Sequence, residues 1–268
     1  MRNENRGSGR LYLIGLGPGD HRYLTPAALE ALEVCDTVVG YTGYIEQLGD
    51  LVGGKRLVAM DLGQELERAA AAVDLAYAGG AVAVVSSGDA GVYGMAGPVF
   101  RVLTDRHWDG KSPQVDIIPG VSAMQAAASL LGAPLMQDFC AISLSDLLTP
   151  WEAILRRLEA AAKADFVIAF YNPRSRRRTS QLPEARRILL AHRPGTTPVG
   201  IVRDAYRPRQ QITVTDLQSL EQHYQRIDMF TTVVVGNSTT YVHGDRMITP
   251  RGYEEKTLPI NPQDAPKS

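Results

Sequence analysis

Leu11-Tyr12-Leu13-Ile14-Gly15-Leu16-Gly17-Pro18-Gly19-Asp20 (LYLIGLGPGD) runs from unbroken apolar sequence straight into a glycine-rich bend. An apolar run over 11–16 has no polar alternation, so it reads as a strand covered on both faces. Thr25 followed by Pro26 has the form of an N-cap with proline at the first helical position. It predicts a helix through about Cys35, with Leu29 and Leu32 as its buried stripe. Strand, bend and helix in that order are the opening of an α/β fold.

Outward from this stretch the alternation continues. Residues 36–41 and 57–61 read as strands. Residues 65–78 form a strong helical pattern closed by Gly79-Gly80. An apolar strand over 81–87 meets a second special turn, Ser87-Gly88-Asp89-Ala90-Gly91-Val92-Tyr93-Gly94. A helix near 96–106, a strand over 115–119, the turn Gly120-Val121-Ser122-Ala123 and a helix over 124–131 follow. Ala133-Pro134 is the expected hinge. The second half predicts strands over 139–144, 166–171, 198–202, 211–214 and 231–236, at least one adjacent pair being antiparallel. It predicts helices behind Thr149-Pro150-Trp151-Glu152, a capping-box spacing, and over 181–192. The expected fold class is therefore two α/β domains, 10–132 with a mostly parallel sheet and 133–250 with a mixed one. The polar, proline-bearing end from 259, within a tail over 251–268, is expected to fray.

Composition narrows the function. With 268 residues, 44% hydrophobic and 21% charged, the chain is ordinary globular material. Its net charge of −1 argues against a general nucleic-acid or anionic-membrane binder. No apolar run approaches the ~20 residues that span a bilayer, and no secretory signal opens the chain. Cys35 and Cys140 cannot build a metal cluster and suit a reducing cytoplasm. His21, His107, His192, His223 and His243 are scattered and read as surface residues, so no metal is expected.

A strand feeding Gly-x-Gly-x-Gly invites a dinucleotide reading, and an NAD-dependent oxidoreductase is the alternative from another class. Two features count against it. Asp20 occupies the last glycine position and would repel a pyrophosphate, and the acidic residue expected about 20 residues later is missing. Pro18 also removes a backbone donor, so a ligand without phosphate suits these bends better.

The motifs Gly15–Asp20 (GLGPGD), 86–98 (SSGDAGVYGMAGP), 119–123 (PGVSA) with Gly132-Ala133-Pro134-Leu135, and 232–237 (TVVVGN) resemble the tetrapyrrole methylases, enzymes that use S-adenosylmethionine in cobalamin and sirohaem synthesis. The resemblance covers about 10–241, and it implies the fold of that family, with a cofactor cleft between the domains. Gly40-Tyr41-Thr42-Gly43-Tyr44, 170–176 (FYNPRSR) and 202–207 (VRDAYR) are similar to the branch that methylates carbon 17 of precorrin-3B, with ring contraction to precorrin-4. Ala90 stands where the family commonly has proline. A cobalt-carrying substrate of the anaerobic route, or another carbon of the macrocycle, remains an alternative.

By that resemblance Pro18, Gly88, Asp89, Val92, Ser122, Ala123, Tyr171, Ala205 and Gly236 fall at S-adenosylmethionine-contacting positions. A sulfonium cation favours such a lining over a lysine-rich phosphate cradle. The substrate is a macrocycle fringed with carboxylates, and arginines fork onto carboxylates bidentately. Arg174, Arg176 and Arg203 are the expected substrate-binding residues, with Arg207 beside Tyr206 in a similar setting. Asp89, Asp138 and Asp204 are candidate proton carriers for ring contraction, none of them assigned. Relatives imply a homodimer. Neither nucleic acid nor membrane is an expected partner.

Overall fold

Short β-branched runs alternate with Ala- and Leu-rich ones, and the computed structural model, which describes residues 9–253, resolves that alternation into two compact units. The expected absence of a leader before Gly9 and the fraying from 259 lie outside the described residues. No helix among the described residues is long and apolar enough to cross a membrane.

Unit 1 comprises residues 9–126 together with Asp204–Gln210. Its elements are β1 (Arg10–Gly15), α1 (Pro26–Val34), β2 (Thr37–Tyr41), α2 (Thr42–Leu48), β3 (Arg56–Met60), α3 (Glu65–Tyr77), β4 (Ala81–Ser86), α4 (Ala96–Asp105) and β5 (Gln114–Ile118). The strands form one sheet in the order β3-β2-β4-β1-β5, every pair parallel. Successive side chains leave a strand on opposite faces, so both faces need cover. Leu11, Leu13, Val82 and Val84 pack against Ala72, Val73 and Ala76 of α3 and Val99 and Leu103 of α4. Tyr12, Ile14, Ala83 and Val85 face Ala28, Ala31 and Leu32 of α1 and Ile45 and Leu48 of α2.

Local chemistry sets the element ends. The Thr25 hydroxyl accepts the Ala28 N–H at 3.1 Å, with Pro26 at the first helical position, as expected. Leu32 is buried, but Leu29 is 40% exposed, which corrects the expected stripe: Ala28 and Ala31 fill the face instead. At the end of α3 the Gly79 N–H reaches the Ala76 carbonyl (2.8 Å) and the Gly80 N–H the Leu75 carbonyl (3.1 Å), the paired bonds of a Schellman motif.

Unit 2 comprises residues 127–203 and 211–253. α5 (Ala123–Leu131) enters it, followed by β6 (Gly132–Ala133), β7 (Phe139–Ser143), α6 (Trp151–Lys163), β8 (Val167–Tyr171), α7 (Gln181–His192), β9 (Pro198–Arg203), β10 (Gln211–Asp216), β11 (Thr231–Val235), β12 (Tyr241–His243) and β13 (Arg246–Ile248). The main sheet runs β10-β9-β11-β8-β7. β7 and β8 are parallel and the other pairs antiparallel, so the sheet is mixed as expected. Ile154 and Leu158 of α6 and Ala185 and Leu189 of α7 cover one face, against Ile168, Phe170, Ile201 and Val233. Ala133, read as part of a hinge, is a strand residue paired with Ile248, in a small third sheet that the sequence did not announce.

The capping box does not form. The helix starts one residue later, with Pro150 at the N-cap and no side-chain cap, so threonine and glutamate miss the required spacing. α6 is held instead by the Trp151 indole N–H, which donates to Glu184 of α7 at 2.9 Å.

Candidate functional site

In an open parallel sheet, ligands bind beyond the carboxyl ends of the strands. In unit 1 those ends belong to β1, β4 and β5, and their three bends are locked backbone to backbone. The Leu16 N–H donates to the Ser86 carbonyl at 2.8 Å, one step beyond the paired strands. Gly17 and Gly88 then exchange both backbone hydrogen bonds, at 3.0 and 2.7 Å. A Cβ on Gly120 would stand 2.2 Å from the Gly88 carbonyl oxygen, so the β5 bend seats itself where only glycine fits.

Asp89 ties the third bend to the second. One carboxylate oxygen accepts the Gly120 N–H (2.9 Å) and the other the Gly91 N–H (2.8 Å). Its placement is that of a loop organiser. Ser122 caps α5, its oxygen accepting the Gln125 N–H and its carbonyl the Ala126 N–H. Pro18, Gly88 and Ser122 are buried, while Val92 and Tyr93 stand exposed in the β4 turn. Ala205 belongs to unit 1 as well, in the segment Asp204–Gln210. Seven of the nine residues expected at the cofactor therefore share unit 1: Pro18, Gly88, Asp89, Val92, Ser122, Ala123 and Ala205.

The segment Asp204–Gln210 is fastened to these bends in a way no local pattern in the sequence signals. The Arg207 Nε donates to the Pro18 carbonyl at 2.7 Å and its Nη2 to the Ser87 hydroxyl at 3.0 Å. The Tyr206 and Tyr23 rings lie 4.1 Å apart. Burial pushes the Tyr44 phenol above its usual range, and the Arg207 charge acts in the opposite direction. Asp204 is buried, with the Arg209 Nε 3.8 Å from its carboxylate.

In unit 2 the main-sheet register decides which candidates meet. Tyr171 ends β8 and Arg203 ends β9. They lie at the same end of the sheet, because Thr231, where β11 begins, pairs with Arg203 and Val233 with Phe170. Arg174 and Arg176 follow Tyr171 in the connection to α7, half-buried and exposed respectively. Arg203 is held by Asp228, with Nε at 2.9 Å and Nη2 at 2.8 Å from the same carboxylate oxygen. Gly236 lies at the opposite end, its N–H bound to the carbonyl of Pro198, where β9 starts. At about 3.3 Å per residue that separates it from Tyr171 by the length of a strand, roughly 15 Å. The buried Arg193 donates to its carbonyl, so Gly236 is fixed from within. Asp138 shares that far end: its carbonyl accepts the N–H of Val167, where β8 begins.

Arg178, further along the same connection, differs from the exposed Arg176. It is buried, its Nη2 donating to the Asn172 carbonyl at 3.0 Å and its Nη1 to the Ser145 hydroxyl at 3.3 Å. Burial lowers its affinity for the proton. No group of His, Cys, Asp or Glu among the described residues is placed to hold a metal ion.

Fold and bends together define an α/β protein whose candidate ligand site lies at the carboxyl ends of a parallel sheet. Comparison with known proteins narrows that class: the profile of the Tetrapyrrole (Corrin/Porphyrin) Methylases matches residues 10–221, and the chain belongs to that family. It is 49% identical, over 91% of its length and 99% of the relative's, to a Salmonella typhimurium protein named probable cobalt-factor III C(17)-methyltransferase. It is 51% identical to the cobalt-factor III methyltransferase of Priestia megaterium over 92% of this chain, spanning 46% of that longer relative. A Sinorhizobium precorrin-3B C(17)-methyltransferase is 43% identical over 92% of this chain and 98% of its own. Among solved structures, that of the methyltransferase CobJ superposes with a TM-score of 0.85 at 39% identity, over 91% of this chain and 100% of that one.

Proposed function

We propose that this chain is an S-adenosylmethionine-dependent C-methyltransferase of cobalamin biosynthesis. It methylates carbon 17 of a precorrin-3B-type macrocycle, with the associated ring contraction. The observation that carries the reading is the chemistry of the three locked bends. Residues 15–20, 86–94 and 119–123 contain aspartate, serine, glycine and apolar side chains and no lysine or arginine. With Asp20 and Asp89 in it, that lining suits a sulfonium cation better than a pyrophosphate, which carboxylates repel. The Arg207 guanidinium that reaches it is engaged by the Pro18 carbonyl and the Ser87 hydroxyl.

When bound, S-adenosylmethionine supplies an electrophilic methyl group. Pro18, Gly88, Ser122, Ala123 and Ala205 would hold it, with Asp89 keeping the bends in register and Val92 exposed beside them. Holding two reactants in line accounts for much of a methyl transfer, so the protein need not offer a nucleophile of its own. Tyr171 at the end of β8 is the cofactor contact expected from unit 2, and Arg174 and Arg176, which follow it, form the acceptor side, the two guanidinium groups meeting substrate carboxylates. Arg203, already paired with Asp228, joins them as a partly neutralised cation. Asp204 and Asp89 remain the acid–base candidates of unit 1. A homodimer, a cytoplasmic setting and no nucleic-acid partner complete the reading. Sedimentation at twice the chain mass checks the first of these.

A cobalt-carrying macrocycle is the second reading, supported by the higher identity to the relatives named for cobalt-factor III, 49% and 51% against 43%. Purified precorrin-3B and cobalt-factor III, each incubated with labelled S-adenosylmethionine and followed by mass spectrometry, test both. A gain of one methyl on either macrocycle supports the function and identifies the substrate. No gain on either overturns it.

A further inference from the structure

We propose that Arg207 is a positioning residue of the cofactor site, a clasp that holds the bends of β1 and β4 and its own segment in one arrangement. The inference rests on the cofactor reading above and concerns a residue that the sequence set among the cations for substrate carboxylates. Its guanidinium is instead engaged within unit 1. Nε donates to the Pro18 carbonyl at 2.7 Å and Nη2 to the Ser87 hydroxyl at 3.0 Å. One planar group thus spans two bends 69 residues apart in sequence (87 minus 18), a geometry that lysine's point charge cannot reproduce.

Three further features fit a clasp. The Arg207 stem fills the space beside Gly19: a Cβ there would lie 2.5 Å from Arg207 Cγ, so the β1 bend is shaped to receive it. The turn closes on itself, the Arg207 N–H donating to the Asp204 carbonyl at 3.0 Å. The Tyr206 ring meets the Tyr23 ring at 4.1 Å, tilted by 36°, a second hold on the segment. Ala205, expected at the cofactor, lies two residues before the clasp. Releasing the guanidinium would leave the Gly17–Gly88 backbone pair in place but free the Pro18 carbonyl, the Ser87 hydroxyl and the segment that bears Ala205 to shift relative to one another. Small misplacements at such positions carry large penalties in binding and rate.

Calorimetric titration of the full-length protein with S-adenosylhomocysteine tests the idea. Arg207→Met is expected to raise the dissociation constant tenfold or more, with Arg207→Lys recovering little of it. Methylguanidinium added to Arg207→Met is expected to restore affinity in part, which a general loss of structure would not allow. Ser87→Ala removes one acceptor without disturbing the core and is expected to weaken binding several-fold. The double variant should bind no more weakly than Arg207→Met alone, because the two losses are one interaction. Wild-type affinity in Arg207→Met, or additive losses in the double variant, would overturn the proposal. Should Arg207→Met fail to fold, unchanged affinity in Ser87→Ala would do the same. Failure of the wild-type protein itself to bind S-adenosylhomocysteine would instead bring down the cofactor reading on which the clasp rests.

Discussion

Substituting Gly120 by alanine would press a methyl carbon to 2.2 Å from the Gly88 carbonyl oxygen and 2.7 Å from the Gly15 carbonyl carbon, backbone atoms that cannot rotate away. Gly120→Ala should therefore destabilise the fold by about 1–3 kcal/mol, the usual cost of forced overpacking, and abolish S-adenosylhomocysteine binding. Urea unfolding with a parallel titration checks this, and an unchanged midpoint would contradict it. Asp89→Ala is gentler: it removes the acceptor of the Gly91 and Gly120 N–H groups, so cofactor affinity should fall while the sheet persists. At Cys35, burial pushes the thiol up to about 12. Below pH 9 the thiol is protonated in both folded and unfolded chains and contributes no pH dependence. Between about 9 and 12 the unfolded chain releases a proton that the folded one retains, so stability falls as pH rises through that window. A thiol reagent at pH 8 should leave Cys35 unmodified until denaturant is added. Rapid labelling of the native protein would show the burial to be wrong.

Among the elements, Arg178 carries the most specific expectation. It ties the connection after β8 to Ser145 and to the Asn172 carbonyl, beneath the stretch that bears Arg174 and Arg176. Arg178→Met leaves those acceptors unpaired, at a cost of about 1–3 kcal/mol. It should weaken binding of a carboxylate-fringed tetrapyrrole and spare S-adenosylhomocysteine, whose expected ligands lie mainly in unit 1. Equal loss of both ligands would show that the connection has no separate role. The long elements were legible because their signals are local: the apolar runs of β1 and β4, the Thr25-Pro26 cap, and the Gly79-Gly80 stop. β6, β12 and β13 were not, since strands of two or three residues carry no period to read. Arg178 gave no sign of its burial because Ser145 lies beyond a different strand, β7, and its other acceptor is a backbone carbonyl, which no side-chain pattern signals. Likewise only strand register reveals that Gly236 and Asp138 lie a strand's length from Tyr171, while the three bends of unit 1 converge because parallel strands bring their carboxyl ends together.

For the molecule as a whole, two units of different sheet type share one chain, with Asp204–Gln210 returning to unit 1. A net charge of −1 argues against RNA, and the carboxylates of Asp20 and Asp89 in the bends argue for a small cationic ligand over a dinucleotide. S-adenosylhomocysteine at about a hundred times its dissociation constant should stabilise the protein by about 2.7 kcal/mol, and NADH by nothing measurable. Thermal unfolding with each ligand separates the two, and stabilisation by NADH alone would favour the oxidoreductase. The most direct test is a crystal structure of the protein with S-adenosylhomocysteine. The nucleoside should rest on the bends that carry Pro18, Gly88 and Ser122-Ala123, with Arg207 still bound to the Pro18 carbonyl. A nucleoside found away from all three bends would contradict the assignment of this site.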